Sequence, residues 1–204
     1  IALNLFEGLV AKDTKTLKIV PAVSDSWKVS KDGKKVTFQI RKDAVWSHGQ
    51  KVTAHDFIYS WTRLLTPATA AEFASFGFVF KNGKAFYEGK IKDPSQLGFK
   101  AVGENQLEII LENPTPYFLS LVAHPALFPV PRTSIEKFGP KWSRPENIVT
   151  NGPFILSKWQ TNQVIELKKN LRHWDVKNIK SDLVNVRFVS KSDTEEKLFR
   201  AGEL

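Results

Sequence analysis

The sequence of 204 residues contains no cysteine and no methionine. The absence of cysteine excludes disulfide bonds, thiolate metal sites and cysteine nucleophiles from this chain. Its apolar runs are also short, and none approaches the roughly 20 residues that a helix needs to cross a bilayer. Without an initiator methionine, and with a helix-like apolar pattern from Ile1 onwards, the chain is expected to lack its natural start. The absence of a signal peptide therefore says nothing about export.

Enzyme motifs are also absent, because there is no GxSxG elbow, no HExxH, no phosphate-binding lysine loop and no GxGxxG. The four histidines are never four residues apart, the spacing that places two metal ligands on one helical face: His48, His55, His124 and His173. Asp43 and Asp56 flank one loop, and paired carboxylates there would suit acid–base catalysis. A structural role is favoured, since Asp56 falls in the first turn of a predicted helix. We therefore expect no catalysis, no metal and no cofactor.

The residues that are present suit a folded domain with a basic surface. Hydrophobic residues make up 42% and aromatic residues 12%, which is enough to bury a core. The formal charge of +9 comes from 30 Lys and Arg against 21 Asp and Glu, and acids are scattered among the bases. A basic nucleic-acid-binding module is therefore kept as an alternative of another class, but no nucleic-acid partner is expected.

Strand and helix patterns alternate along the chain. Residues 27–41 predict a hairpin around Asp32 and Gly33, and residues 97–111 predict a second pair of strands. Between them, Thr53 and Asp56 predict a capping box at the start of a helix.

The same patterns continue to the end of the sequence. Residues 113–124 predict a helix opened by proline, and residues 133–139 a short helix that ends at glycine. Residues 154–170 predict another hairpin, 182–189 a strand, and a last helix begins at Ser192 or Asp193. This order of elements predicts an α+β, or mixed α/β, fold.

Two loops offer exposed backbone or aromatic groups. Trp46 and Trp142 are the two tryptophans, of six, that lie in loops rather than in regular patterns, and packing is favoured for both. In "NIVTNGPF", Asn151 and Gly152 form a turn whose backbone amides would meet a ligand carboxylate or a peptide main chain. A plain turn into the following strand is the other interpretation.

Several long motifs carry a family resemblance. They are "PAVSDSW" at 21–27, "FQIRKDAVWSHG" at 38–49 and "VTAHDFIYSWTR" at 52–63. They resemble the signature region of the large extracytoplasmic solute-binding proteins that deliver peptides to ABC importers. The stretch from Pro114 to Phe154 is similar to the oligopeptide-binding branch in particular, so the resemblance covers essentially the whole chain.

The resemblance implies a bilobed ligand trap, of which this chain is a fragment. The expected fold is a partial periplasmic-binding-protein type II-like lobe with an inserted α+β domain. On that template residues 1–6 end a first-lobe helix, residues 7–131 form the inserted domain, and residues 132–204 belong to the first lobe. The second lobe is missing.

The implied function is non-catalytic binding of oligopeptides for import, between lobes that close around the ligand. The implied partners are oligopeptides and a membrane-embedded ABC permease, and the protein is expected to be a monomer. It would work in the periplasm, or on the cell surface as a lipoprotein. The same scaffold binding murein peptide, haem or a nickel chelate stays open as an alternative.

Three residues are carried over as candidate ligand contacts. Phe73 lies where relatives often have a Tyr that faces the peptide, and it keeps the aromatic ring without the hydroxyl donor. His124 matches a histidine near the pocket floor, and Asn151 lies in the turn beside the hinge. The structural alternatives are that Phe73 packs in the core and that His124 caps the end of a helix.

Overall fold

A computed structural model of the protein describes residues 1–189 and 191–202. The chain begins with the short helix α1, Ala2–Leu5, as the apolar pattern predicted. A two-stranded antiparallel hairpin follows, made of β1, Val10–Lys12, and β2, Ile19–Pro21. These elements connect a four-stranded sheet and a three-stranded sheet, because α1 contacts the smaller one and β2 the larger one.

The larger sheet is antiparallel and has the strand order β3-β4-β6-β5. Its strands have these bounds: β3, Ser24–Val29; β4, Lys35–Ile40; β5, Phe99–Val102; β6, Gln106–Ile110. The predicted β3–β4 hairpin is confirmed, and its turn needs Gly33, whose φ is +68°. Buried and half-buried residues alternate along β4 and β6, so one face of this sheet is covered.

Helix α2, Ala54–Leu65, covers that face. Its predicted capping box is confirmed, because the Thr53 N–H group donates to the Asp56 carboxylate over 2.7 Å. The helix ends before Pro67, and a 3-10 turn follows at Pro67–Thr69. Its apolar residues pack on the sheet: Phe57, Trp61 and Leu65 are all fully buried.

Trp61 lies at the centre of the larger core. Its ring stacks on Phe80 with 4.8 Å between centroids and meets Phe99 edge-on at 5.5 Å. Its indole N–H group donates to the Leu127 carbonyl over 2.9 Å. The ring is therefore fully enclosed and its polar atom is satisfied, as burial of a tryptophan requires.

The segments between strands are short helices and turns. Residues 70–98 hold the 3-10 segment Ala74–Val79, helix α3, Gly83–Tyr87, and the 3-10 turn Pro94–Gln96. Helix α4 is shorter than the predicted helix over residues 113–124, since it covers only Phe118–Val122. Both prolines of "NPTP" precede the helix, and a proline disfavours the helical conformation of the residue before it.

The smaller sheet has the order β7-β8-β9 and is also antiparallel. Helix α5, Arg132–Phe138, precedes it and ends at Gly139, as predicted. Its strands are β7, Phe154–Gln160; β8, Val164–Lys169; and β9, Leu183–Arg187. The last helix is α6, Ser192–Arg200.

A separate small core lies beneath this sheet: Leu5, Phe154, Leu156, Ile165 and Leu167. The architecture is thus mixed α and β with two hydrophobic clusters, which confirms the predicted fold class. Among the described residues, no helix is both long and apolar enough to cross a membrane.

Candidate functional site

Three rings meet on one side of the larger core: Phe73, Phe76 and His124. We call them the aromatic wall. The Phe73 ring lies 5.5 Å from both the Phe76 ring and the His124 ring, and the Phe76 and His124 rings meet edge-on at 4.8 Å. Phe73 is 43% exposed, so it is not a core residue. The structure therefore brings two of the three predicted site residues together and leaves an aromatic face open to solvent.

His124 lies between helix α4 and the 3-10 turn Pro125–Leu127. Its Nδ1 atom accepts a hydrogen bond from the Ala126 N–H group over 3.2 Å, so the side chain caps the following turn rather than the end of α4. Because Nδ1 is the acceptor, a neutral ring carries its proton on Nε2. The imidazole is thus fixed in one tautomer and offers a donor.

A groove of about 490 Å³ runs past His124. One side is formed by residues of the N-terminal segment between Leu3 and Thr14, and the other by residues between Ser120 and Phe128. The two sides approach closely at Gly8, where an added Cβ would lie 2.5 Å from the Phe128 ring. The groove is mainly apolar, and Glu7 and Lys12 are its charged lining residues.

Asn151 lies behind this groove and is only 3% exposed. Its side-chain amide donates to the Glu7 carbonyl over 2.9 Å, and its side-chain oxygen accepts from the Glu7 N–H group over 3.1 Å. Both polar ends of the side chain therefore hold the backbone of a groove residue. Direct contact between Asn151 and a ligand stays a prediction.

The Glu7 side chain is held as firmly as its backbone. Trp174 donates its indole N–H group to one carboxylate oxygen over 2.6 Å, and His173 Nε2 lies 3.6 Å from the other. His173 is buried, and its Nε2 atom has no hydrogen-bond partner among the described residues. The Arg41 guanidinium lies 3.8 Å from the centre of the Trp174 ring. This network joins the N-terminal segment to the smaller sheet and the larger one.

The loop over residues 42–53 is a structural corner. Trp46 is buried in the larger core, and its backbone N–H group donates to the Gln50 carbonyl over 2.8 Å. Asp56 is held by Thr53, and burial raises the pKa of its carboxyl group above the ordinary value. Asp43 instead pairs with Arg41 over 3.2 Å. The two aspartates therefore serve separate local contacts.

Sequence reasoning missed Phe76 and Glu7. Phe76 follows Phe73 at a spacing of three, which brings side chains to the same side of a helical segment, so this signal was present in the sequence. Glu7 carried no comparable signal, because its partners lie 144 and 167 residues away along the chain.

The fold and the site together suit a binding module: an open aromatic wall with a fixed imidazole lies beside a groove, and hydrogen bonds hold Glu7 in the lining of that groove. Comparison with known proteins leads to the same class. The family described as "Bacterial extracellular solute-binding proteins, family 5 Middle" matches residues 18–204.

Individual relatives are similar along the entire chain. The periplasmic oligopeptide-binding protein OppA of Salmonella typhimurium is 41% identical over 209 residues, covering 100% of this chain and 37% of that protein. The periplasmic murein peptide-binding protein MppA of Escherichia coli is 38% identical, covering 98% of this chain and 37% of that protein. The chain thus spans little more than a third of the length of these relatives.

Solved structures agree closely with this fold. The substrate-binding domain of an oligopeptide ABC transporter from Bacillus anthracis superposes with a TM-score of 0.95 at 42% identity, covering 98% of this chain and 39% of that one. OppA of Haemophilus influenzae in complex with RPPGFSPFR gives a TM-score of 0.93 at 37% identity, covering 100% and 40%. The chain belongs to the family 5 bacterial extracellular solute-binding proteins.

Proposed function

We propose that this chain is part of the solute-binding component of an ABC importer, and that it binds oligopeptides without chemical change. The observation that carries the proposal is the similarity along the whole chain to proteins named as oligopeptide-binding, at about 41% identity. The open aromatic wall supports it, because rings and a fixed donor suit ligands that combine apolar side chains with a polar main chain.

The proposed division of the chain has three parts. Residues 1–6 end a helix of the first lobe, residues 7–131 form the inserted domain, and residues 132–204 continue the first lobe. Residues 190, 203 and 204 of this last part lie outside the described residues. Two observations support the division: the larger core is made of residues from 9 to 127, whereas the smaller core combines Leu5 with β7 and β8.

The proposed ligand contacts are Phe73 and His124, with Asn151 in the turn behind them. In this proposal the ligand lies on the aromatic wall and is enclosed when a further lobe closes over it. Phe73 supplies a ring face and no hydroxyl group, and His124 supplies the Nε2 donor. Asn151 supports the groove through Glu7, so its substitution would act on the ligand through the position of the N-terminal segment.

The proposed partners are oligopeptides and a membrane-embedded ABC permease, and the protein works as a monomer. Matched relatives are periplasmic binding proteins. By analogy we propose the periplasm as the compartment, or the cell surface for a lipid-anchored form.

A murein peptide is the second candidate ligand, because MppA is nearly as similar to this chain as the oligopeptide-binding relatives are. The same scaffold also occurs in a probable deoxycholate-binding protein, which is 39% identical, so the fold alone does not select the ligand. Haem and nickel chelates stay in the set to be tested.

The experiment is mass spectrometry of the compounds that copurify with the full-length gene product. Oligopeptides of mixed sequence are expected. Recovery of murein peptides alone would select the second candidate, and recovery of only haem, a metal chelate or a bile acid would overturn peptide binding.

Calorimetry with a recovered peptide then tests the aromatic wall. Phe73→Ala should weaken binding by about fivefold, since a ring contact contributes on the order of 1 kcal/mol. Trp159→Ala is the control, because this tryptophan is similarly exposed but lies in β7 of the smaller sheet. Equal affinities of the wild type and Phe73→Ala would remove the aromatic wall from the site without affecting the family assignment.

A further inference from the structure

A second groove, of about 730 Å³, lies on the side of helix α2 that faces away from the core. We call it the α2–β5 groove. Residues from His55 to Thr66, in α2 and at its C-cap, form one side, and residues 99–101 of strand β5 form the other. The aromatic wall does not contribute to it, because Phe73, Phe76 and His124 are absent from its lining.

Strand β5 is the outermost strand of its sheet, with β6 as its one neighbour among the described strands. Ile110 is the last residue of β6. Its N–H group donates to the carbonyl of Gly98, the residue just before β5, over 2.6 Å. Backbone groups of alternate residues point to opposite edges of an antiparallel strand. The backbone groups of Lys100 and Val102 therefore face β6, and those of Phe99 and Ala101 face the open edge.

Phe99 and Ala101 are the residues of β5 whose backbone groups point to the open edge. The Phe99 N–H group donates to the Leu97 carbonyl over 2.8 Å. The Phe99 carbonyl and both backbone groups of Ala101 remain at the open edge. An unpaired strand edge is a template for a further strand, and here helix α2 lies alongside it. A helix beside an open edge strand is the arrangement that binds peptides by strand addition.

The groove is basic. Four of its lining side chains are cationic or imidazole groups, and none of its described lining residues is acidic: the four are His55, Arg63, Lys100 and Arg132. Two of these charges have partners nearby, since Arg132 pairs with Glu136 over 2.8 Å and Lys100 with Glu108 over 3.3 Å.

Arg63 has no ion pair with any residue that the structure describes, and it lies in the last turn of α2. On the other face of the sheet, Glu108 is shared by Lys100 and Lys35, so that cluster keeps a net positive charge. Apolar surface lies between the charges, contributed by the half-buried Ile58. The groove therefore combines backbone pairing, apolar contact and positive charge.

We propose that the α2–β5 groove binds an extended acidic segment of a partner polypeptide, which adds to β5 as a fifth strand. This site is separate from the ligand wall and does not depend on which solute the protein carries. With four residues in β5 and about 3.3 Å per residue, the paired part of the segment is about four residues long. Its acidic side chains on the α2 side of the sheet would lie beside Arg63.

The probe is a fluorescein-labelled peptide of about eight residues with alternating Glu and Val, a length that spans the strand and its ends. Fluorescence anisotropy with the full-length gene product measures its affinity. A Lys and Val peptide of the same pattern is the charge control. Binding of the acidic probe should weaken with added salt, because the contact with Arg63 lies near the surface.

Ala101→Pro removes the outward N–H group and breaks no hydrogen bond to β6, since proline is tolerated on edge strands. It should weaken probe binding by at least about tenfold, whereas the control Ala101→Val should leave it unchanged. Arg63→Glu should weaken binding by a similar factor and should abolish the preference over the Lys and Val peptide. Thermal unfolding of each variant checks the fold, and Arg63→Glu keeps the test decisive if Ala101→Pro fails to fold.

Equal affinity of the wild type, Ala101→Pro and Arg63→Glu would overturn the proposal. So would equal binding of the Lys and Val peptide, or tighter binding of a single-stranded oligonucleotide than of the acidic peptide. If Phe73→Ala abolishes probe binding while Arg63→Glu does not, the probe occupies the ligand wall and the groove is not its site.

Discussion

The two sheets of this protein bury their apolar residues to very different degrees. Helix α2 covers the larger sheet, and the core between them holds a chain of aromatic contacts around Trp61. The smaller sheet has a core of five buried residues, and none of its outer strand β9 is buried. Large apolar side chains stay exposed at this end of the molecule: Leu183 at 47%, Phe188 at 48% and Phe199 at 71%.

The difference teaches that strand pairing alone does not complete a core. The strands of the smaller sheet are paired along most of their length, with one irregularity between Leu156 and Lys158, yet among the described helices α1 is the one that packs extensively on it. Burial of apolar surface supplies most of the free energy of folding, so the larger sheet should be the more stable unit. Under the proposed function, the exposed side chains near β9 are available to a further part of the protein.

The largest effect is expected for Trp61→Ala, in the larger core. It removes a fully buried ring and leaves the Leu127 carbonyl without its donor. The free energy of unfolding should fall by about 3–5 kcal/mol, measured by urea denaturation. Tyr117→Ala is the control, because that ring is 62% exposed. A loss for Trp61→Ala no larger than that of the control would mean that the larger core is not the main source of stability.

Leu167→Ala tests the smaller core in the same way. Leu167 is fully buried in β8, and a loss of about 2–4 kcal/mol is expected for a leucine at such a position. Hydrogen exchange should show lost protection in β7, β8 and β9, while β4 and β6 keep theirs. Equal loss of protection in both sheets would show that they unfold as one unit, and the contrast between them would then fail.

Asn151→Ala tests the connection between the two regions. The substitution leaves the part-buried N–H and carbonyl groups of Glu7 without partners, at a cost of about 1–3 kcal/mol. Hydrogen exchange of the Glu7 amide should accelerate. Asn185→Ala is the matched control, because this asparagine lies on an exposed position of β9. An unchanged Glu7 amide would show that the hydrogen bonds of Asn151 do not hold the N-terminal segment.

The smallest expected effect is a pH dependence with opposite signs at two carboxylates. Burial raises the pKa of Asp56 above 3.8, so the folded state holds its proton more tightly than the unfolded state. The contribution of Asp56 to stability therefore falls as the pH rises from 3.8 through the folded pKa. Unfolding free energies of the wild type minus those of Asp56→Asn, measured across this window, should decrease with pH.

Glu108 should behave in the opposite way. The hydrogen bond from Lys35, over 3.0 Å, holds the pKa of Glu108 below 4.5. Its favourable contribution is present above pH 4.5 and is lost as the pH falls through the folded pKa. The difference between the wild type and Glu108→Gln should therefore shrink on acidification. The same slope for both residues would contradict the assigned environments.

Short stretches of the sequence determine the local structure of this protein. The Asp-Gly turn, the capping box at Thr53 and the end of α5 at Gly139 each depend on residues a few positions apart, so their prediction succeeded. The family motifs identified the fold class. Prediction failed for the start of α4, where two prolines delay the helix.

The tertiary structure alone decided the candidate site and the second groove. Phe73 and His124 meet although 50 intervening residues separate them, and Glu7 finds Asn151 and Trp174 from the far end of the chain. The open edge of β5 likewise depends on the strand order, which no local pattern encodes. Hydrogen bonds of turns and caps are satisfied within a few residues, whereas rings and buried polar groups take whichever partners the packing of distant segments brings to them.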